Sequence, residues 1–129
     1  MKVSLNWLKD YVTLPDSVDD LAKRLTMAGL EVEAISRPGD ALRGVVVGKI
    51  LSSDKHPNAD KLSVTRIDVG GNALGSLQIV CGAKNYKVGD KVPVATVGTT
   101  LPNGLEIKQA ALRGVESSGM LCSEKELGL

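Results

Sequence analysis

Twelve of the fourteen glycines lie beyond residue 40, set between short β-branched runs such as "VVVGKIL", "SVTRIDVGG" and "KVPVATVG". No other feature constrains the fold as tightly. Glycine supplies corners that other residues resist, and Val, Ile and Thr favour the pleated conformation. The spacing predicts strands over 43–52, 62–69, 76–82, 91–97 and 105–110, with a last extended piece near 118–123. The clearest turns are Gly70-Gly71 and "LPNG", Leu101 to Gly104, where Pro102 is preset for the second position of a β-turn. With no long helices between the strands, the pattern describes a small closed or partly open β-barrel rather than a parallel sheet.

Pro38 and Gly39 mark where this pattern begins. The preceding residues read as a small α/β segment, 1–39, ahead of a β domain over 40–129. Ser4 is placed to cap a short helix over "LNWLKDYV". Ser17, with Asp20 three residues on, starts a better-marked helix in which Val18, Leu21, Ala22, Leu25 and Ala28 recur at helical spacing. Gly29 stands where a left-handed cap belongs. "LEVEAIS" then alternates like a strand.

Composition removes several classes of function. No apolar run approaches the roughly 20 residues needed to span a bilayer, and the first residues lack a signal-peptide core, so a cytoplasmic location without membrane contact is expected. Cys81 and Cys122 are then expected as free thiols. With His56 the only histidine, they are too few for a convincing zinc site. Walker loops, dinucleotide fingerprints, nucleophile elbows and metalloprotease motifs are missing, so no catalytic residue and no metal ligand is assigned. Residues 1–39 carry 5 basic and 6 acidic groups, and 40–129 carry 11 and 9. A nucleic-acid face must therefore be a local cluster.

Three stretches could form one. In "SDKHPNADKL", Pro57 stiffens a loop in which Asn58 and Asp60 can bond backbone groups two residues on, freeing Lys55 and Lys61 to project. His56, before a proline, is expected to be extended, and an exposed or capping role is favoured over a catalytic one. Such a loop suits a phosphate chain or a protein partner, and a solvated connection is the plainer alternative. In "CGAKNYKVGD", Lys84, Asn85 and Lys87 surround Tyr86, the only aromatic of the β region, which either stacks a base or packs half-buried. In "LRGVESSGMLCS", Arg113, Ser117 and Ser118 suit phosphate or sugar contacts, or the stretch closes the barrel with Arg113 paired to Glu116.

In this order the three stretches resemble the tRNA-binding OB domain. That domain occurs as a free-standing bacterial protein, in some methionyl-tRNA synthetases, in endothelial-monocyte-activating polypeptide and in the phenylalanyl-tRNA synthetase β subunit. The likeness covers about 85 residues from Val45 onward. "MKVSLNWLKDYV" and "LAKRLTMAGLEVEAI" resemble the start of the last of these, where the first part of a split small domain precedes the OB domain. The resemblance implies a five-stranded OB-like barrel and, by motif position, candidate RNA-facing residues Lys55, His56, Asn58, Lys61, Lys84, Asn85, Arg113, Ser117 and Ser118. The residue reading adds Tyr86 and Lys87.

For the whole enzyme the resemblance implies an α2β2 phenylalanine–tRNA ligase that uses ATP and Mg2+, with adenylation on the α subunit. This segment would then be non-catalytic and hold no cofactor. Its partners would be phenylalanine-specific tRNA, the rest of the β subunit and the α subunit. The expected role is backbone- and shape-directed tRNA contact, with an architectural protein-interaction module as the alternative.

Overall fold

Ser4 accepts a hydrogen bond from the Trp7 amide at 3.4 Å and starts the first helix of the computed structural model, α1, Leu5–Leu8. The model describes residues 1–71 and 75–129. α1 is shorter than the predicted "LNWLKDYV" because the chain tightens after Leu8, where Asp10 and Tyr11 bond carbonyls three residues back. Ser17 accepts from the Asp20 amide at 3.3 Å and opens α2, Val18–Met27, with Asp19 and Asp20 in its first turn beside the positive end of the helix dipole. Gly29, at φ 95°, follows it, and the Leu30 amide returns to the Leu25 carbonyl at 2.9 Å. The strand expected in "LEVEAIS" is absent. A strand needs a paired neighbour, and the described residues of Met1–Arg37, one of two compact units, offer none.

The second unit, Pro38–Leu129, holds the barrel. Its strands are β1, Val45–Lys55; β2, Ser63–Asp68; β3, Ser76–Cys81; β4, Lys91–Thr96; β5, Ala110–Leu112; β6, Val115–Ser117; and β7, Gly119–Leu121. A short helix, α3, Glu124–Leu127, follows. The main sheet is antiparallel with order β3-β2-β1-β4-β7. β1 serves two partners in turn. Val45 to Lys49 pair with β4, and Lys49 to Lys55 pair with β2, with the register shifting between Ile50 and Ser52. Such a bulge bends a strand and lets the sheet curl toward closure.

The gap between β3 and the chain after β6 is bridged by hydrogen bonds. The Ser118 amide donates to the Gln78 carbonyl at 2.8 Å, and the Gln78 amide side chain donates to the Glu116 carbonyl at 2.9 Å. The Val80 amide donates to Ser117 Oγ at 3.1 Å. The five strands of the main sheet thus form a nearly closed, OB-like barrel.

Its centre is built from Ile50, Ile67, Val69, Ile79 and Val94. A second cluster of Ala95, Leu101, Ile107, Cys122 and Leu127 fills one end. The buried Thr65 hydroxyl is satisfied by the Ile79 carbonyl at 2.8 Å. Aliphatic side chains carry almost all of this core.

Three strand expectations need adjustment. β1 runs past residue 52 to Lys55, so the polar loop after it is shorter than the quoted stretch. Residues 105–109 make only one bridge, Thr100 to Glu106, around the "LPNG" turn, in which the Gly104 amide meets the Leu101 carbonyl at 2.8 Å, and Ala110 belongs to β5. The β5–β6 hairpin lies where no strand is predicted. Gly70 and Gly71 both have positive φ, while the rest of that connection lies outside the described residues.

Gly48 sits where the backbone of β1 crosses the core. A Cβ there would lie 2.5 Å from Ile67 Cγ2 and 2.8 Å from Val94 Cγ2. Neither β-branched side chain can swing aside cheaply. Gly48→Ala is expected to cost about 1–3 kcal/mol in urea unfolding, the usual range for an overpacked core; an unchanged midpoint contradicts the packing. Both thiols are free. Burial lifts the Cys122 thiol above its ordinary pKa, opposed by a backbone hydrogen bond at Ala95 and reinforced by the Glu126 carboxylate. Iodoacetamide at mildly alkaline pH is therefore expected to modify Cys81 well before Cys122, read by peptide mass spectrometry.

Candidate nucleic-acid interface

The loop after β1 is closed at its base by the His56 amide, which donates to the Leu62 carbonyl at 3.0 Å. His56 itself is 2% exposed. Its Nδ1 accepts from the Asn58 amide at 3.0 Å, and its Nε2 lies 2.8 Å from the Leu112 carbonyl. Nδ1 is thus the acceptor, and Nε2 must carry the proton and donate to Leu112. Those two partners specify one neutral tautomer. Of the two positions foreseen for this histidine, exposure is ruled out and capping is realised. The residue is too buried to touch a ligand and instead ties the loop to the end of β5.

A reciprocal pair completes the tie. Asn58 Nδ2 donates to the Arg113 carbonyl at 3.2 Å, and Arg113 Nη1 donates to the Asn58 carbonyl at 3.3 Å. Asn58 was expected to bond its own loop, but its side-chain amide crosses to the hairpin. Asp60 also departs from that expectation. Its carboxylate meets Lys55 Nζ at 3.0 Å in an exposed pair, so Lys55 is partly neutralised while Lys61 makes no ion pair among the described residues. The Arg113–Glu116 pair of the plainer reading does not form among them either.

The second stretch lies beside the first because β2 pairs with β3, Ser63 opposite Cys81. Tyr86 reinforces this. Its ring packs half-buried against the central core cluster, and its hydroxyl lies 3.3 Å from Ser53 Oγ on β1. The ring is therefore a packing element rather than an open stacking platform. Around it Lys84, Asn85 and Lys87 are exposed. The Lys87 amide donates to Asp90 Oδ2 at 2.8 Å, and the Gly89 amide donates to the Ile50 carbonyl at 2.8 Å, which fasten this loop to β1.

The three stretches thus converge at one end of the barrel, but Ser117 and Ser118, like His56 and Tyr86, do different work. Ser117 is 4% exposed, accepts from Val80 and donates to the Gly119 carbonyl at 3.1 Å. With Ser118 it closes the barrel, and its place among ligand-facing residues is corrected accordingly. What remains exposed is a rim of Lys61, Lys84, Asn85, Lys87 and Arg113, with Asn58 and the Lys55–Asp60 pair at its edge. Sequence reasoning missed Ser53, Gln78 and the Leu112 carbonyl. Only the last had a signal, since "LRGV" spaces two β-forming residues by two turn residues.

Two buried bonds hang on one imidazole, so His56→Ala is expected to lower stability by about 2–3 kcal/mol and to loosen residues 57–61. Urea unfolding and amide hydrogen exchange measure this; a loss under about 0.5 kcal/mol with unchanged exchange contradicts the clamp.

Comparison with known proteins places this geometry in a family. A family model described as "Putative tRNA binding domain" matches residues 45–128, the span from the start of β1 through α3. Over 129 residues the chain is 60% identical to a protein of Anaeromyxobacter dehalogenans named phenylalanine–tRNA ligase beta subunit. It is 61% identical over 130 residues to the protein of that name in a Synechococcus strain. Against the Fusobacterium nucleatum protein of the same name, identity is 54% over 128 residues. These alignments take in 99–100% of this chain and 16% of each relative, so the chain spans about one-sixth of the length of the curated relatives it matches. With 84 of its 129 residues, 45 to 128, inside the match, the chain belongs to the tRNA-binding domain family.

Proposed function

We propose that this chain is the tRNA-binding OB module of a phenylalanine–tRNA ligase β subunit, meeting tRNA through backbone phosphates rather than base edges. The observation that carries this reading is the convergence of Lys61, Lys84, Lys87 and Arg113 on one barrel end. The loop that bears Lys61 is held there by the buried His56 and the Asn58–Arg113 pair. A backbone already held in place removes part of the ordering cost of contact, and the lysine and arginine heads it carries suit a regular phosphate chain. Base stacking is a poor fit, since Tyr86 is committed to the core. The identity of 54–61%, over this chain and one-sixth of each relative, to proteins named as that β subunit supports the assignment.

The assignment extends to the whole enzyme. It joins phenylalanine to its tRNA in the cytoplasm, using ATP and Mg2+ held outside this chain, in an α2β2 assembly with the remainder of the β subunit and the α subunit as partners. Among the described residues, no three His, Cys, Asp or Glu side chains come together as a metal ion would require. Within the same residues no helix is long and apolar enough to cross a membrane. The segment's own part is to bind and orient, and no bond-breaking step is assigned to it.

Each phosphate neutralised steepens the dependence of affinity on salt by about 0.7–0.9 log units per log unit of salt. Three or four rim cations therefore give a slope of about −2 to −3.5. Fluorescence anisotropy with labelled tRNA at two salt concentrations is expected to show this, and Lys61→Ala combined with Lys84→Ala to make the slope shallower by about 1.5. No binding at low salt, or a slope near zero, transfers the rim to a protein-contact role.

A further inference from the structure

Arg113 is the only residue other than glycine with positive φ among the described residues, at φ 50°. It occupies the first position of a two-residue turn. Leu112 pairs with Val115 across the β5–β6 hairpin, leaving Arg113 and Gly114 as its whole loop, and Gly114 follows at φ 84°. Two-residue hairpin loops with both residues left-handed match the twist of their strands, and Asn-Gly is the sequence that takes this shape most readily. Arginine is poorly suited to the first position, because its Cβ crowds the following carbonyl. An alternative without this strain is thus available at one substitution, and the chain carries arginine instead.

The structural bonds of Arg113 use only a small part of what the residue offers. Its carbonyl accepts from Asn58 Nδ2, a bond that any residue at this position can offer. Its side chain is exposed and makes one hydrogen bond, Nη1 to the Asn58 carbonyl at 3.3 Å, which occupies one of five guanidinium N–H groups. The turn holds the base of the side chain still, and the Asn58 bond fixes its direction. The remaining donors form a planar fork of the kind that fits a phosphate in two-point fashion. Strain kept at an exposed charged residue, whose one bond to the Asn58 loop leaves four of five guanidinium N–H groups without a partner among the described residues, points to a ligand.

We propose that Arg113 is the primary phosphate contact of the rim, and that the left-handed turn exists to present its guanidinium already oriented. This rests on the tRNA-binding reading above and ranks one residue within it. Stability and affinity are then expected to move independently at this position. Arg113→Asn relieves the strain and gives up one exposed bond to the Asn58 carbonyl, two small effects of opposite sign, so the 129-residue chain should melt close to the wild-type temperature. Its affinity for labelled tRNA should fall about tenfold at low salt, the loss of one charge-assisted contact, and its salt slope should become shallower by about 0.7–0.9. Arg113→Lys keeps a charge but not the fork, and should keep the slope while losing part of the affinity.

Unchanged affinity and slope in Arg113→Asn overturn the proposal while leaving the tRNA reading intact. A fall of several degrees in the melting temperature of Arg113→Asn overturns it too, by assigning the arginine to holding the turn. A wild-type chain that binds no tRNA at low salt overturns the tRNA reading and this proposal together.

Discussion

One strand has to satisfy two neighbours. β1 presents its first half to β4 and its second half to β2, and every backbone donor and acceptor along it needs a partner on the correct side. Lys49 belongs to both ladders, Gly48 lets the backbone pass against Ile67 and Val94, and the irregularity at Leu51 turns the second half away. From this bend follow the closure of β3 onto the chain after β6 and the position of the loop that leaves β1 at Lys55. The rim is therefore a consequence of how β1 curves.

The barrel end is organised by buried polar groups. His56 holds the loop to the hairpin through one imidazole nitrogen and to itself through the other. A polar side chain taken out of water is tolerable when each of its partners is in place, and rigidifying when it is. Tyr86 and Ser117 act in the same way, one joining its loop to β1 and the other joining β6 to β3. Three residues that invite assignment as ligand contacts thus form the frame, and the exposed lysines and Arg113 are what the frame displays.

The strand runs from Val45 to Thr96 were legible because β-branched residues alternate between punctuating glycines over lengths that only strands fill. The four-residue α3 was not foreseen, while the starts of α1 and α2 were legible from Ser4 and Ser17. The strand in "LEVEAIS" was not, because alternation states a preference while a ladder requires a partner. β5 and β6 escaped notice because three-residue strands give no period to detect, and "LRGV" lacks the Asn-Gly that usually marks such a hairpin. At the site, the grouping of three distant stretches was legible only through their likeness to a family. The half-buried packing of Tyr86 was one of two foreseen readings, but the burial of His56 was not legible: nothing local distinguishes an exposed histidine before proline from one covered by a hairpin 56 residues away.

The central claim is that the rim made by these three stretches meets the tRNA backbone. Amide chemical-shift mapping of the chain during titration with tRNA tests it most directly. Shifts concentrated at residues 57–61, 84–87 and 113–114, fading as salt is raised, are expected. Shifts spread along β4 and the 98–107 excursion, or none at low salt, would contradict it.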